Sequence, residues 1–221
     1  MRAVPNTPPP AAPPGTPVKA TLPAGTPLFR VHRSEWAATS FNPVPADRLW
    51  GGGRFDATED DPYRFLYAGA TAAAAVCESF LRSVPYTDPG PRIVPRAAVR
   101  GRRLAFLRLA VDVDVVSLMS GRDLAAVAQD SWLVQAEAHE YAFTRAWGHW
   151  IRRHTDPWAR GFVWPSKREP ADRVTVLFGD RCPPGVVEET GTPAVDLAGR
   201  DGEEWLNGLL APYHARVGGP R

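Results

Sequence analysis

Cysteine is nearly absent: Cys77 and Cys182 are the only two in 221 residues. Two thiols cannot build the multi-bridge framework of a small secreted scaffold, and no Cys-x-x-Cys pair offers a zinc knuckle. Cys77, among apolar neighbours, reads as a small core residue. Lysine is as scarce, at Lys19 and Lys167 alone. The basic complement is therefore arginine, whose planar fork suits phosphate and carboxylate. An excess of one charge is also missing: a net +2 gives no overall field for nucleic acid. No run of ~18 apolar residues is present to span a bilayer, and the amino end lacks a signal peptide's apolar core. The five histidines have no metal-ligand spacing. These absences predict a cytoplasmic protein with no metal and no direct contact with membrane or nucleic acid.

Proline is what the chain has in plenty, 24 in all. Residues 1–25 are rich in Pro, Ala, Gly and Thr, and such a segment buries too little apolar surface to offset its ordering entropy. A disordered or polyproline-like arm is expected over 1–25, and one globular domain over 26–221. At 44% hydrophobic and 23% charged, the composition suits a soluble domain with a sizeable core.

Alternation over Pro27–Arg33 predicts a first strand, with Leu28, Arg30 and His32 on one face and Phe29 and Val31 on the other. A long loop over 34–50 follows, of a length that often carries function. It ends in Trp50 and Gly51-Gly52-Gly53. Phe65–Gly69 reads as the next strand, Thr71 as a helix cap, and 72–82 as helix. Further strands are expected over 93–99, 103–111, 114–118, 161–166, 173–178 and 193–197. Further helices are expected over 120–128, 135–154 and 203–216. In the longest helix, Ala136, Phe143, Trp147, Trp150 and Ile151 share a face read as core. Tyr141, Arg145, Gly148 and Arg152 share the opposite face, read as solvent or a partner surface, with a cleft as the lesser alternative. Strands and helices mix without a regular βαβ rhythm, which predicts an α+β domain.

Familiar catalytic motifs fall away on inspection. The triple glycine lacks the Gly-Lys-Ser/Thr of a phosphate loop, and no Gly-x-Gly-x-x-Gly links a strand to a helix. His139-Glu140 is followed at 143 by Phe, not the second zinc-binding His, and Ser166 is not in a Gly-x-Ser-x-Gly elbow. The residues left over are Arg30, Arg54, Tyr67, Glu78 and Ser166. Singly each has an ordinary explanation: surface ion pairs for the arginines, a core tyrosine, a helical Glu78–Arg82 pair, a serine capping the chain after Pro165.

Together they form a pattern. Phe29-Arg30-Val31, then Gly-Gly-Arg54-Phe55, then Leu66-Tyr67-Ala68 with an alanine-rich helix to Glu78, then Gly161 to Trp164-Pro165-Ser166-Lys167-Arg168 resembles the RES domain, a family named for an Arg, a Glu and a Ser. The resemblance covers roughly residues 27–180. It departs from the family's usual Gly-Arg-Trp-Asn, which here is Gly53-Arg54-Phe55-Asp56, and it leaves open whether Arg30 or Arg54 is the name-giving arginine.

The resemblance implies a single α+β domain like the ADP-ribosyltransferase fold, with split mixed or antiparallel sheets and flanking helices. It implies the toxin of a bacterial toxin–antitoxin pair that consumes NAD⁺ as its substrate by hydrolysis or phosphorolysis, inorganic phosphate being the second substrate in the latter. It also implies a small helical Xre-type antitoxin that blocks the site. Glu78, Tyr67 and Arg54 would then be catalytic, and Arg30, Arg54, Tyr67 and Ser166 would hold the dinucleotide. Nicotinamide leaves as a neutral base, so positive charge develops on the ribose and a fixed carboxylate stabilises it. Arginines would grip the diphosphate, Tyr67 would confine the nicotinamide ring, and Ser166 would donate to the ligand or orient Glu78. The rival readings are protein ADP-ribosyl transfer and a silent nucleotide- or peptide-binding module. A helix-turn-helix reader of DNA is set aside because the long helix offers tryptophans instead of basic and amide residues.

Overall fold

The computed structural model describes residues 7–86 and 90–218. The chain opens with strands β1 (Lys19–Leu22), β2 (Pro27–Arg33) and β3 (Phe65–Gly69), then helix α1 (Ala72–Phe80). Next come β4 (Arg92–Pro95), α2 (Arg96–Val99), β5 (Arg102–Leu109), β6 (Val113–Ser117), α3 (Gly121–Ala126) and α4 (Trp132–Gln135). The rest is α5 (Tyr141–His154), β7 (Gly161–Pro165), β8 (Arg173–Phe178), β9 (Val187–Glu189), β10 (Val195–Asp196), α6 (Arg200–Leu210) and β11 (Ala215–Gly218). The main sheet runs β1-β6-β7-β8-β3-β2-β5-β10, with β9 also on β5. Only β6–β7 is parallel within it, so the sheet is mixed. A parallel β4–β11 pair stands apart. The fold is a single α+β domain, as the pattern of elements predicted.

Helix α1 is placed by small residues. Thr71 caps it, its hydroxyl accepting from the Ala74 N–H at 3.0 Å and donating to Asp172 at 2.5 Å. A Cβ on Gly69 would lie 2.6 Å from the Ala75 nitrogen, so glycine there lets the helix lie close on β3. Val76, Cys77 and Phe80 bury against Leu104, Leu206 and Leu210, which makes Cys77 a core residue. Each large apolar side chain buried this way contributes about 1.5–3 kcal/mol. The other face of the sheet packs Leu22, Leu28, Leu66, Leu107 and Val163.

Four expectations from the sequence change. Strand β1 lies inside the segment read as a free arm. Ala20 and Leu22 turn toward the core, and Lys19 and Thr21 both bond Asp114, at 2.8 and 2.7 Å. The proline run itself offers carbonyls, and the Pro10 carbonyl accepts from the Trp150 indole at 2.6 Å. Residues 1–6 of that segment lie outside the described residues. The helix expected over 135–154 begins at Tyr141, because Glu137 and Glu140 cap a new start reciprocally. Its supposed solvent face is buried, with Arg145 and Arg152 at 1% and 4% exposure, while Phe143 of the supposed core face is 38% exposed. Arg152 is held by Asp61 and Asp180 at 3.2 and 2.9 Å and lies over the Tyr63 ring. The 93–99 strand is β4 followed by α2, and the terminal helix stops at Leu210 before β11.

Candidate active site

The sheet parts between β2 and β3. Their pairing is confined to Phe29–Gly69, and the start of β3 bonds Asn42 instead. A cleft of about 620 Å³ fills the split. That volume lies in the range of small-molecule sites, about 300–1,000 Å³. One wall is β2, the other is β3 with Trp164, and the end of α1 lies along it. The loop over 52–56 and Tyr141 complete it.

Glu78 lines this cleft. Its Oε1 accepts from the Ser166 hydroxyl at 2.7 Å and from the Lys167 and Arg168 backbone N–H groups at 2.6 and 3.3 Å. No ion pair joins it to Arg82 and no hydrogen bond reaches its Oε2 among the described residues. Three donors on one oxygen fix the carboxylate without neutralising it. Ser166 is fully buried and does not line the cleft. It also accepts from the Arg168 and Glu169 N–H groups at 3.3 and 3.0 Å. Of the two roles expected of Ser166, ligand donor or support for Glu78, its contacts match the second: its hydroxyl is spent on Glu78 and the turn after β7.

Tyr67 and Arg54 line the cleft with Glu78. The Tyr67 oxygen accepts from the Phe55 N–H at 2.8 Å, and its ring meets Trp164 edge-on at 6.2 Å. Burial, with the charge of Asp56 second, pushes its pKa well above the ordinary phenol value, so the phenol is neutral. Arg54 is 4% exposed. Two of its five donors go to the Leu133 and Ala136 carbonyls at 3.1 and 3.2 Å, and it lies over the Tyr141 ring at 5.0 Å. Burial lowers its pKa, opposed by Tyr141 and then Glu78. Lys167 reaches the Gln135 carbonyl at 2.5 Å. Arg54 and Lys167 thus hold the backbone where the long helix was expected to run on.

Arg30 does not join this group. It projects from β2 on the face of Leu28, away from the cleft, and donates to the Ala38 and Ser40 carbonyls at 2.6 Å each. Burial pushes its pKa down to about 10. Its work is to pin the long loop, and of the two arginines carried from the sequence only Arg54 faces the cleft.

Two groups missed by sequence reasoning shape the glycine loop. The Asp56 Oδ2 accepts from the Gly53 N–H at 2.7 Å, and its buried Oδ1 has no hydrogen-bond partner among the described residues. Burial raises its pKa, opposed first by the Gly53 N–H. Arg145 donates from beneath to the Gly51 and Asp47 carbonyls at 2.8 and 3.0 Å. Gly51 and Gly52 take φ of +61° and +72°, which only glycine adopts freely. Arg82, half-buried, lies 5.6 Å from the Tyr141 ring and reaches the Gly52 carbonyl at 3.4 Å. Helical spacing carried a signal for Arg145, which shares a face with Tyr141 and Gly148, but no local pattern marked Asp56.

Among the described residues no helix is long and apolar enough to cross a membrane, and no group of three or more His, Cys, Asp or Glu side chains is placed to hold a metal. No curated protein matches the sequence. The fold is similar to a chain of the M. tuberculosis MbcT–MbcA toxin–antitoxin complex, with a TM-score of 0.53 and 15% identity over 79% of this chain and 85% of that one. The RES domain model matches residues 27–198, a span that holds Arg54, Tyr67, Glu78 and Ser166, and the chain belongs to the RES domain family.

Proposed function

We propose that the chain cleaves the nicotinamide–ribose bond of NAD⁺. The observation that carries the reading is a carboxylate held by three donors, Glu78, in one cleft with a buried arginine and a neutral tyrosine. The bond from the ribose C1′ to the pyridine nitrogen breaks, and its electron pair stays on nicotinamide, which leaves neutral without a general acid. Glu78 stabilises the positive charge developing on the ribose. The Tyr67 and Trp164 rings confine the nicotinamide, and the free donors of Arg54 with Arg82 face the diphosphate. Water attacking C1′ gives ADP-ribose and a proton; inorganic phosphate gives the 1″-phosphate of ADP-ribose instead.

The similar fold belongs to a toxin–antitoxin complex, and by that parallel we take this chain as the toxin of such a pair. Its partner would be a small helical Xre-type antitoxin that covers the cleft. Leu49 and Trp50, 60% and 73% exposed just before the glycine loop, supply apolar surface for that contact. Purified protein, free of any partner, should consume NAD⁺ in a chromatographic assay, and runs with and without phosphate separate the two acceptors. No NAD⁺ loss under either condition would overturn the reading.

A further inference from the structure

The cleft carries two charges the proposed reaction does not use. Arg33 of β2 and Arg102 of β5 are directly opposed partners in an antiparallel pair, and both line the cleft. Like charges in that position destabilise a sheet. Arg102 is half-buried and forms no ion pair among the described residues. Among the described residues Arg33 pairs with Glu35 alone, at 3.4 Å with both side chains 62% exposed, a weak contact. Burial, and then the charge of Arg33, lowers the Arg102 pKa, opposed by the charge of Glu35. Next to this pair Phe29, Val31 and Phe80 form an apolar strip along the same wall. The wall therefore changes from apolar to cationic along β2, where two guanidinium groups share one exposed carboxylate, that of Glu35, and a phosphate would supply further counter-charge.

We propose that Arg33 and Arg102 form a phosphate subsite that receives the monoester on the adenosine ribose of NADP⁺, so that NADP⁺ is preferred to NAD⁺. This rests on the dinucleotide reading above. Nicotinamide lies against Tyr67, the diphosphate near Arg82, the adenosine on the apolar strip, and its 2′-phosphate between the two guanidinium forks. Two planar donors give paired, charge-assisted bonds to a phosphate dianion.

The test compares kcat/KM for NADP⁺ and NAD⁺ in the wild type, Arg33→Gln and Arg102→Gln. The wild-type ratio should exceed one and fall about tenfold or more in each variant, the loss expected for a charge-assisted bond. The ligand-free Tm of Arg102→Gln should rise as like-charge repulsion is relieved, whereas a structural arginine would lower it. Arg33 is largely exposed, so its variant keeps the fold. An unchanged ratio in both variants overturns the proposal. So does a variant effect confined to the phosphate dependence of NAD⁺ loss, which would make free phosphate the occupant. If neither dinucleotide is consumed, calorimetry with adenosine 2′,5′-bisphosphate decides: tenfold weaker binding to Arg102→Gln supports the subsite, and equal binding overturns it.

Discussion

Replacing Glu78 by Gln removes charge and leaves geometry. The Gln amide oxygen can accept the bonds that Oε1 now takes from Ser166, Lys167 and Arg168. The turn after β7 and the end of α1 therefore stay in place. What is lost is one negative charge facing the ribosyl cation. At ~4 Å and an effective dielectric near 20, such a pair is worth about 4 kcal/mol. That matches the ~10²–10³-fold cost of losing one preorganised electrostatic partner in a transition state. Glu78→Ala adds a second defect, because the buried Ser166 hydroxyl and the Lys167 N–H lose their acceptor, at about 1–3 kcal/mol each. For a domain of this size that is roughly 2–4 °C of Tm per kcal/mol. NAD⁺ turnover by chromatography and Tm by calorimetry separate the two. Glu78→Gln should melt near the wild type and turn over ~10²–10³-fold slower; Glu78→Ala should lose both. Wild-type turnover in Glu78→Gln would refute the assigned role, whatever its Tm.

Other predictions follow from the same geometry. Ser166→Ala should lower kcat by roughly tenfold with little change in KM, because its hydroxyl orients Glu78 and does not line the cleft; a rise in KM alone would contradict this. Arg30→Met should lower Tm, since it strips the Ala38 and Ser40 carbonyls of their donor, yet keep turnover within about threefold; a fall matching that of an Arg54→Gln variant would place Arg30 in the site after all. Asp56 has a folded pKa raised above its ordinary 3.8, so its contribution to stability is full below that value and is lost as pH rises through the folded pKa. Asp56→Asn abolishes that loss, so its Tm advantage over the wild type should grow from pH 4 to pH 8, and a constant difference would remove the ionised carboxylate from the account.

Much of the site was legible because its parts are local. The alanine run, Thr71 and Gly69 are adjacent in sequence, and they let α1 lie close on β3 with Glu78 near the cleft. The pairing of Glu78 with Ser166 was readable only through the family resemblance, because 88 residues separate them and no propensity links them. Arg30 and Arg54 looked alike for the same reason. Strand alternation gave the right faces of β2, with Arg30 opposite Phe29 and Val31, but not which face the cleft would take. The long helix went wrong where tertiary contacts overrode periodicity. Arg54 and Lys167 take the carbonyls at the end of α4, and Arg145, on the helix face that spacing had read as solvent or a partner surface, is buried under the glycine loop.

A common device holds several arginines of this domain without cancelling their charge. Arg30, Arg54 and Arg145 are held by backbone carbonyls, not by carboxylates. Burying a guanidinium is costly, and hydrogen bonds from neutral acceptors offset part of that cost while leaving the charge unneutralised. A carboxylate partner would stabilise each arginine more and would erase its attraction for an anion. A carbonyl-held Arg54 instead keeps a positive charge at the cleft, where Glu78 is tied by neutral donors and meets no ion pair among the described residues. The scarcity of lysine fits this arrangement, since a five-donor fork can satisfy two carbonyls and still face a ligand, whereas an ammonium offers three donors from a single point. An Arg54→Lys variant should therefore fold but bind the dinucleotide more weakly. A titration giving the wild-type Kd would mean that Arg54 serves only the backbone it holds.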